Sequence, residues 1–248
     1  MTKKVLLVGE SWFKYEVHVK GFDTFYTSTY DSGEKWLKNA LESNGYEVDY
    51  MPNHLALNEF PFEAEALAEY DTIILSDIGS NTLLLSDATF SKSEIKPNRI
   101  QLIKDYVLNG GGLCMIGGYM TFAGIDGKGR WYNTPVQDIL PVQVLDKDDR
   151  EEHPEGVYAT IKTEHEILKG IPSEWPPFLG YNKTILKEEA ELLVEVGGNP
   201  LIAINEAGQG RVSVFTSDCA PHWAPPQFCE WEHYPRLFSQ LMDWTSQK

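Results

Sequence analysis

The chain has 248 residues, of which 42% are hydrophobic and 12% aromatic, enough for a sizeable packed core. The formal net charge of -16 gives a surface field that repels phosphate backbones and anionic lipid, so we expect neither nucleic acid nor membrane as a partner. The longest apolar runs, such as Thr72 to Leu75, fall far short of the roughly 20 residues of a membrane-spanning helix.

The cysteines and the N-terminus indicate the compartment. Cys114, Cys219 and Cys229 have no metal-type spacing, and their odd number argues against a disulfide framework. The first apolar run is short and is followed by Glu10 rather than by a cleavage site of small residues. We therefore expect one cytoplasmic domain over residues 1–248. We expect no cofactor, because the GxGxxG and P-loop patterns are missing.

The first half of the chain alternates predicted strands with predicted helices. Strands are predicted for the apolar runs Val5 to Val8, Thr72 to Leu75 and Leu113 to Ile116, and for Glu47 to Met51, which directly follows the first predicted helix. One helix is expected to be capped by Asp31 or Ser32 and closed by Gly45, and another to end at Gly110. This alternation predicts a parallel sheet covered by helices on both faces, with ligands bound beyond the carboxyl ends of the strands.

The second half of the chain changes character. The stretches Leu201 to Asn205 and Arg211 to Thr216 read as two strands joined by a glycine-containing turn, and a final helix is expected at about Pro235 to Thr245. The acidic run Asp146 to Glu155 is typical of a solvated loop.

Cys114 invites the question of a nucleophile, because it precedes the paired glycines Gly117 and Gly118. A strand-to-helix elbow holds its nucleophile on the sharp turn itself, where small residues let the backbone fold tightly. Cys114 lies three residues before that turn, inside an apolar run, so we interpret it as an inert core thiol. The tip of the turn falls on Gly118 or Tyr119, and Tyr119 is either a ligand contact or a packing residue.

Polar and aromatic residues crowd the stretch after the first predicted strand, including Glu10, Ser11 and Trp12, with His18, Lys20 and Asp23 beyond them. Glu10 is the best candidate there for a buried acid. The alternative is that Glu10 or Ser11 caps a helix.

A second cluster follows the last predicted strand in "FTSDCAPHWAPP". Its three prolines stiffen the loop and pre-organise what it displays. Asp218 and His222 form either an oriented base or two metal ligands, and the alternative is that His222 has neither role.

Four stretches resemble one family: "VGESW...HVKGFD", "GGGLCMIGGYMTFAGIDGKGRW", "LPV" and "GRVSVFTSDCAPHWAPP". They look like the GATase1-like family of glutamine amidotransferase-like proteins, which is similar to class I glutamine amidotransferases and to ThuA-like proteins. The resemblance implies a flavodoxin-like, doubly wound α/β fold with a mainly parallel sheet and extra β-hairpin elements in the second half.

Activity follows less directly from the resemblance. Class I enzymes use a cysteine in a G-x-C-x-G elbow, with a histidine and a glutamate in H-x-E. Here the matching elbow is Gly117 to Thr121, with Tyr119 where the cysteine would stand, and Trp223 and Ala224 after His222 break the H-x-E pattern. Glutaminase activity of the usual thiol type is therefore not expected.

Four hypotheses follow. The first is a protein that has kept the fold and pocket, lacks the elbow cysteine and binds a small polar ligand, for which a sugar is suggested by Trp12, Tyr119, Trp131 and Trp223. The second is a hydrolase with Glu10, Asp218 and His222 as general bases or metal ligands. The third is an assembly module whose exposed aromatic residues make a homo-oligomer. The fourth restores thiol chemistry through Cys114 or, as the better candidate, Cys219, whose pKa the nearby imidazole would lower.

The ligand-binding residues expected under the first hypothesis lie at the ends of strands. They are Glu10, Ser11, Trp12, Asp77, Gly79, Gly118, Tyr119, Asp218, His222 and Trp223.

Overall fold

The computed structural model describes residues 2–247, which form fourteen strands, nine α-helices and two short 3-10 turns. The strands are β1 (Lys4–Gly9), β2 (Ser11–Lys20), β3 (Asp23–Ser32), β4 (Glu47–Met51), β5 (Thr72–Ser76), β6 (Gly112–Ile116), β7 (Val142–Gln143), β8 (Arg150–Val157), β9 (Ala159–Ile161), β10 (Phe178–Asn182), β11 (Ile185–Leu186), β12 (Glu191–Val196), β13 (Asn199–Ala207) and β14 (Gly210–Phe215). The helices are α1 (Lys35–Glu42), α2 (Asn53–Glu59), α3 (Ala64–Leu67), α4 (Ser80–Leu84), α5 (Asp87–Phe90), α6 (Arg99–Leu108), α7 (Pro135–Ile139), α8 (Pro226–Cys229) and α9 (Tyr234–Thr245). The 3-10 turns are Ile125–Gly127 and Glu166–Leu168.

Eight strands form the central sheet in the order β4-β1-β5-β6-β14-β13-β12-β9. The first five run parallel, and β13, β12 and β9 add an antiparallel extension at one side. Three further two-stranded sheets pair β2 with β3, β7 with β11 and β8 with β10. The parallel part has the flavodoxin-like strand order, so the order reverses between β1 and β5, where open α/β sheets bind ligands.

Helices cover both faces of this sheet, as the sequence predicts. Alternate residues of β1 point to opposite faces, so Val5 and Leu7 join the core under α1 and α9, whereas Leu6 and Val8 join the core under α2, α4 and α6. All four side chains are buried, which explains why β1 reads as a continuous apolar run rather than an alternating one. No helix among residues 2–247 is long and apolar enough to cross a membrane.

A buried arginine ties two of these helices together. The Arg99 guanidinium donates to the main-chain carbonyls of five residues at or just beyond the C-terminal ends of α2 and α4, at 2.6 to 3.2 Å; they are Ala56, Leu57, Phe60, Thr82 and Leu83. The last carbonyls of a helix lack partners within it, and a cation there also complements the helix dipole. Arg99 therefore stabilises the layer on which the β1 and β5 loops rest.

The predicted strands and the last two predicted helices are confirmed, with ends shifted by one or a few residues. The predicted cap of α1 is wrong, because Asp31 and Ser32 belong to β3, where they pair with Trp12 and Ser11. The helix begins at Lys35 without a side-chain cap, and Gly45 lies past its end as expected.

Two further expectations are corrected. The stretch after β1 is a long hairpin of β2 and β3, which carries His18, Lys20 and Asp23 far from β1 rather than crowding them beside it. The acidic run is not a solvated loop throughout, since its second half forms β8 and Asp149 is buried. Charge pattern alone misses both because strand pairing, rather than solvation, decides where these polar residues lie.

Candidate functional site

A cleft of 520 Å³ opens at the carboxyl ends of β1, β5, β6 and β14. It sits at the point where strand order reverses, as expected for this architecture. Acidic groups, aromatic rings, a histidine and several apolar side chains line it. They are Glu10, Trp12, Asp77, Tyr119, Met120, Ile125, Asp218, Ala220, Pro221 and His222.

Glu10 lies at the floor of the cleft because the backbone turns sharply after β1. Gly9 has a φ of 115°, and a Cβ at this position would collide with the Ser76 carbonyl oxygen, so only glycine fits. Glu10 itself has a φ of 49°, a strained conformation that is common at functional sites. Its main-chain N–H donates to the same Ser76 carbonyl at 3.0 Å, which holds the turn against β5.

The Glu10 side chain is a buried acid, as the sequence indicates. The Ser76 hydroxyl donates to its Oε1, and the Cys219 thiol lies 3.7 Å from the same oxygen. Burial, together with the charges of Asp218 and Asp77, raises the pKa of Glu10 well above its ordinary value. Its helix-capping alternative is wrong, since the residues that follow form β2.

Asp77 occupies the equivalent place after β5 and has a φ of 43°. Its Oδ1 accepts the main-chain N–H of Met120 at 2.8 Å, and a Cβ at Gly118 would lie 2.7 Å from that oxygen. Burial and the charge of Asp218 raise the pKa of Asp77 to about 6. The acid at the end of β5 is therefore locked onto the loop at the end of β6.

Asp218 and His222 face each other across one turn of the proline-rich loop after β14. His222 Nδ1 lies 3.7 Å from Asp218 Oδ2, and Asp218 Oδ1 accepts the main-chain N–H of Ala220 at 3.0 Å. Burial raises the pKa of Asp218 despite these contacts. Burial lowers the pKa of His222, but the adjacent carboxylate of Asp218 outweighs it, so the net pKa of His222 is raised. Asp218 therefore orients His222 at the rim of the cleft.

Aromatic rings form one wall of the cleft. The Tyr119 ring packs edge-to-face on His222, with ring centres 4.3 Å apart, and lies 5.5 Å from Trp223. Glu152 of β8 accepts from both, from the Tyr119 hydroxyl at 2.9 Å and from Trp223 Nε1 at 3.0 Å. Arg150 lies 4.7 Å above the Tyr119 ring. These contacts fix the orientation of Tyr119.

The loop after β6 is held from below by a buried amide. Asn182 Oδ1 accepts the main-chain N–H of Gly118 at 3.0 Å, and its Nδ2 donates to the carboxylate of Asp149 at 2.8 Å. Asp149 in turn accepts the main-chain N–H groups of Ala123 and Gly124, each at 2.9 Å. This chain of bonds sets the position of the elbow, Gly117 to Thr121, relative to the floor of the cleft.

The cysteines are buried and are not among the residues that line this cleft. Cys114 is buried in β6, as predicted, and burial raises its pKa to about 12. Cys219 is also fully buried, and burial with the charges of Glu10 and Asp218 raises its pKa well above the ordinary value. The expectation that an imidazole lowers the pKa of Cys219 is therefore wrong in direction, because burial and the charges of Glu10 and Asp218 dominate, and His222 lies against Asp218.

The structure brings together some of the predicted site residues and leaves others behind the cleft. Ser11 is buried and accepts the main-chain N–H of Asn53, and Gly79 packs beneath Met120. Trp223 is buried behind Tyr119. Trp131 lies in the core with its Nε1 donating to the Ile78 carbonyl, so its suggested role on a sugar ring is wrong. Residues that line the cleft are Glu10, Trp12, Asp77, Tyr119, Asp218 and His222.

Sequence reasoning missed the supports of the site. Glu152 belongs to the acidic run, where nothing in its neighbours distinguishes it from a solvated acid. Asn182 ends β10, a strand without a clear alternating pattern. Only their long-range bonds to the elbow and to Tyr119 identify them.

Three side chains in this region are close enough together to bind one metal ion. Ligand atoms of Glu10, Asp218 and Cys219 lie within 4.8 Å of one another. All three groups have raised pKa values, with burial as the largest cause, so protons compete with a cation here.

Two solved structures match the chain over nearly its whole length. Both are described as cytoplasmic proteins from Salmonella typhimurium; one is 43% identical and covers 98% of this chain and 99% of its own, with a TM-score of 0.95. The other, from strain LT2, is 47% identical and covers 99% of this chain and 100% of its own, also with a TM-score of 0.95. A ThuA-like protein from Parabacteroides merdae shares the fold at 13% identity, with a TM-score of 0.62 and coverage of 99% of this chain and 90% of its own. A comparison with curated proteins gives no significant match.

The family assignment comes from the chain as a whole. A family model described as "Putative glutamine amidotransferase" matches residues 4–247, which include the four strand ends that form the cleft. The strand order and this match agree, and the chain belongs to the GATase1-like family of glutamine amidotransferase-like proteins.

Proposed function

We propose that the cleft binds a small, uncharged polyhydroxyl ligand of the sugar class and does not hydrolyse glutamine with a thiol. The observation that carries the proposal is the convergence of three acids, Glu10, Asp77 and Asp218, on a cleft walled by Trp12 and Tyr119. The acids and the rings each contribute a different part of the recognition.

The acids suit hydroxyl groups. With raised pKa values, they retain protons closer to neutral pH than ordinary carboxyl groups do. A protonated carboxyl group both donates and accepts, as a sugar hydroxyl does, so the two can pair in either direction. The same acids disfavour anionic ligands, because any that are ionised place negative charge in the cleft.

The rings suit the apolar face of a sugar. Trp12 is partly exposed at the mouth of the cleft, and Tyr119 is held in place by Glu152 and Trp223. A pre-oriented ring loses little conformational freedom when a ligand stacks on it.

The second half of the proposal rests on two groups that thiol glutaminases use, the elbow cysteine and a free main-chain amide beside it. Tyr119 stands at the position of the elbow cysteine, and Cys219 is a buried thiol with a raised pKa. The N–H of the residue after an elbow nucleophile usually helps to stabilise the oxyanion, but here that group, on Met120, is bonded to Asp77.

The test is a thermal-shift and calorimetric comparison of glucose, galactose, sorbitol, gluconate and glutamine with the purified chain. A ligand that binds the native state raises the melting midpoint. We expect a neutral sugar or polyol to do so, and gluconate to do so less than glucose because of its charge.

Variants separate the cleft from the rest of the surface. Trp12→Ala should weaken sugar binding by about tenfold or more, the loss of one stacking contact, whereas Tyr158→Ala, which removes an exposed ring outside the cleft, should leave it unchanged. Binding of glutamine alone, with release of ammonia, would refute the proposal.

A second candidate is a metal-dependent hydrolase, favoured by the proximity of Glu10, Asp218 and Cys219. Because these groups have raised pKa values, a divalent cation should raise the melting midpoint at pH 8 more than at pH 6. Loss of that shift in Asp218→Asn would support this candidate, and the absence of any shift with Zn²⁺, Mn²⁺ or Mg²⁺ would exclude it.

The cytoplasm is the proposed location. The proposal rests on the two Salmonella typhimurium relatives, 43% and 47% identical, which are described as cytoplasmic.

A further inference from the structure

The β2–β3 hairpin is a ribbon with two different faces. Its strands pair residue by residue, without a bulge, from Ser11 with Ser32 to Lys20 with Asp23, over about 30 Å. Residues alternate between the faces, and the set that we call the apolar face consists of Phe13, Tyr15, Val17, Val19, Thr24, Tyr26, Ser28 and Tyr30. The opposite, polar face carries every charged residue of the two strands.

The apolar face lies open to solvent over most of its length. Tyr15 is 79% exposed, Val19 69% and Tyr26 76%. At the base of the hairpin, the rings of Phe13 and Tyr30 contact the ring of His54, with centres 5.6 and 5.2 Å apart. Antiparallel ribbons usually turn an apolar face toward a second layer, and large exposed apolar patches mark interaction surfaces.

We propose that the apolar face binds the same face of a second copy of this chain, forming a two-fold symmetric dimer. An isologous contact needs one patch that complements itself, and a ribbon of alternating rings and branched side chains does so by interdigitation. The second ribbon supplies the missing layer that an isolated two-stranded hairpin needs for stability.

Charge leaves the apolar face open to a second copy. The whole chain carries a net charge of -16, which makes most of its surface repel another copy. The apolar face carries no charged residue, so it is a place where two copies can approach without pairing like charges.

The available area also fits a dimer. Each aromatic ring buries about 150–250 Å² when fully covered. Four partly exposed rings and two valines therefore offer several hundred Å² per copy, which approaches the about 800 Å² per partner of a standard interface.

Sedimentation of the full chain tests the proposal directly. At micromolar concentration we expect a mass of twice 28.1 kDa. Val17→Asp, which puts a charge in the middle of the apolar face, should weaken the dimer by about 100-fold or more. Thr29→Asp is the matched control, because Thr29 pairs with Lys14 on the polar face, and it should remain dimeric. A monomeric wild type, or a Val17→Asp variant that is as dimeric as the control, would overturn the proposal.

A cross-linking experiment avoids any dependence on a disruptive variant. The native cysteines are buried, so Val17→Cys adds an accessible thiol to the apolar face. Face-to-face sheets lie about 10 Å apart, within reach of a short bismaleimide. We expect Val17→Cys to be cross-linked to a dimer much faster than Thr29→Cys. Equal rates would contradict face-to-face packing, whatever the cleft binds.

Discussion

Asp77 accepts the main-chain N–H of Met120 at 2.8 Å, so an acid at the end of β5 uses the amide that follows the tip of the elbow. Tyr119 at that tip is in turn fixed by Glu152. The elbow is thus held in place by side chains, and its amide has a partner within the protein. This arrangement explains how the loop can persist without serving a nucleophile.

Replacing Asp77 tests this bond. Asp77→Ala leaves the Met120 N–H without its acceptor and should lower the free energy of unfolding by about 1–3 kcal/mol. Asp77→Asn removes the same charge but keeps an acceptor oxygen, so it should cost less than half as much. Urea unfolding of both variants gives the comparison. Equal losses would mean that the bond contributes little to stability.

Glu10 should make stability fall as pH rises. Its pKa is raised in the folded state, so the folded chain retains a proton that the unfolded chain has lost. This contribution is fully present below the ordinary value of 4.5 and is lost as pH rises toward the folded-state pKa, by at most about 1.4 kcal/mol per pH unit. Glutamine has no such proton, so Glu10→Gln should gain stability relative to wild type between pH 5 and pH 8.

Urea unfolding across that pH range measures the Glu10 effect. Glu188→Gln is the control, because Glu188 is exposed and should leave the wild-type slope unchanged. If Glu10→Gln has the same pH slope as wild type, Glu10 does not titrate as its burial implies.

Arg99 should be among the least replaceable side chains. Arg99→Ala removes a donor from five main-chain carbonyls, of which Ala56 keeps the N–H of Phe60. Each buried carbonyl left without a donor costs about 1–3 kcal/mol, so a loss of at least about 3 kcal/mol is expected. Arg99→Lys should recover only part of this loss, because an ammonium group has three donors. Arg130→Ala removes an exposed arginine and should be near neutral. Melting midpoints that match for the two alanine variants would contradict the role of Arg99.

The three thiols should be inert in the native protein. Each is buried and has a raised pKa, so iodoacetamide at neutral pH should modify none of them on the timescale that labels a free thiol. Unfolding in urea should expose all three. Rapid labelling of native protein that is lost in Cys219→Ala would instead revive a thiol mechanism. Mass spectrometry of the intact chain counts the modified sites.

The sequence by itself determined the parallel half of the fold and the floor of the cleft. A parallel strand that is buried on both faces needs a continuous apolar run, and such a run can be recognised locally in the sequence, as in β1 and β6. Because the carboxyl ends of parallel strands meet at one edge, Glu10 and Asp77 were predictable neighbours, and Asp218 was predictable from the end of β14.

Only the tertiary structure decided what surrounds that floor. Glu152 reaches Tyr119 from a strand 33 residues away, and Asn182 reaches Gly118 from 64 residues away. The β2–β3 hairpin was missed although its alternation of apolar and polar residues is typical of a strand. Its polar residues were instead interpreted as neighbours of the cleft, and only the pairing of β2 with β3 places most of them away from it. The residue types at these positions are common ones, so the sequence does not single them out. Their roles depend on contacts that form only when the chain folds.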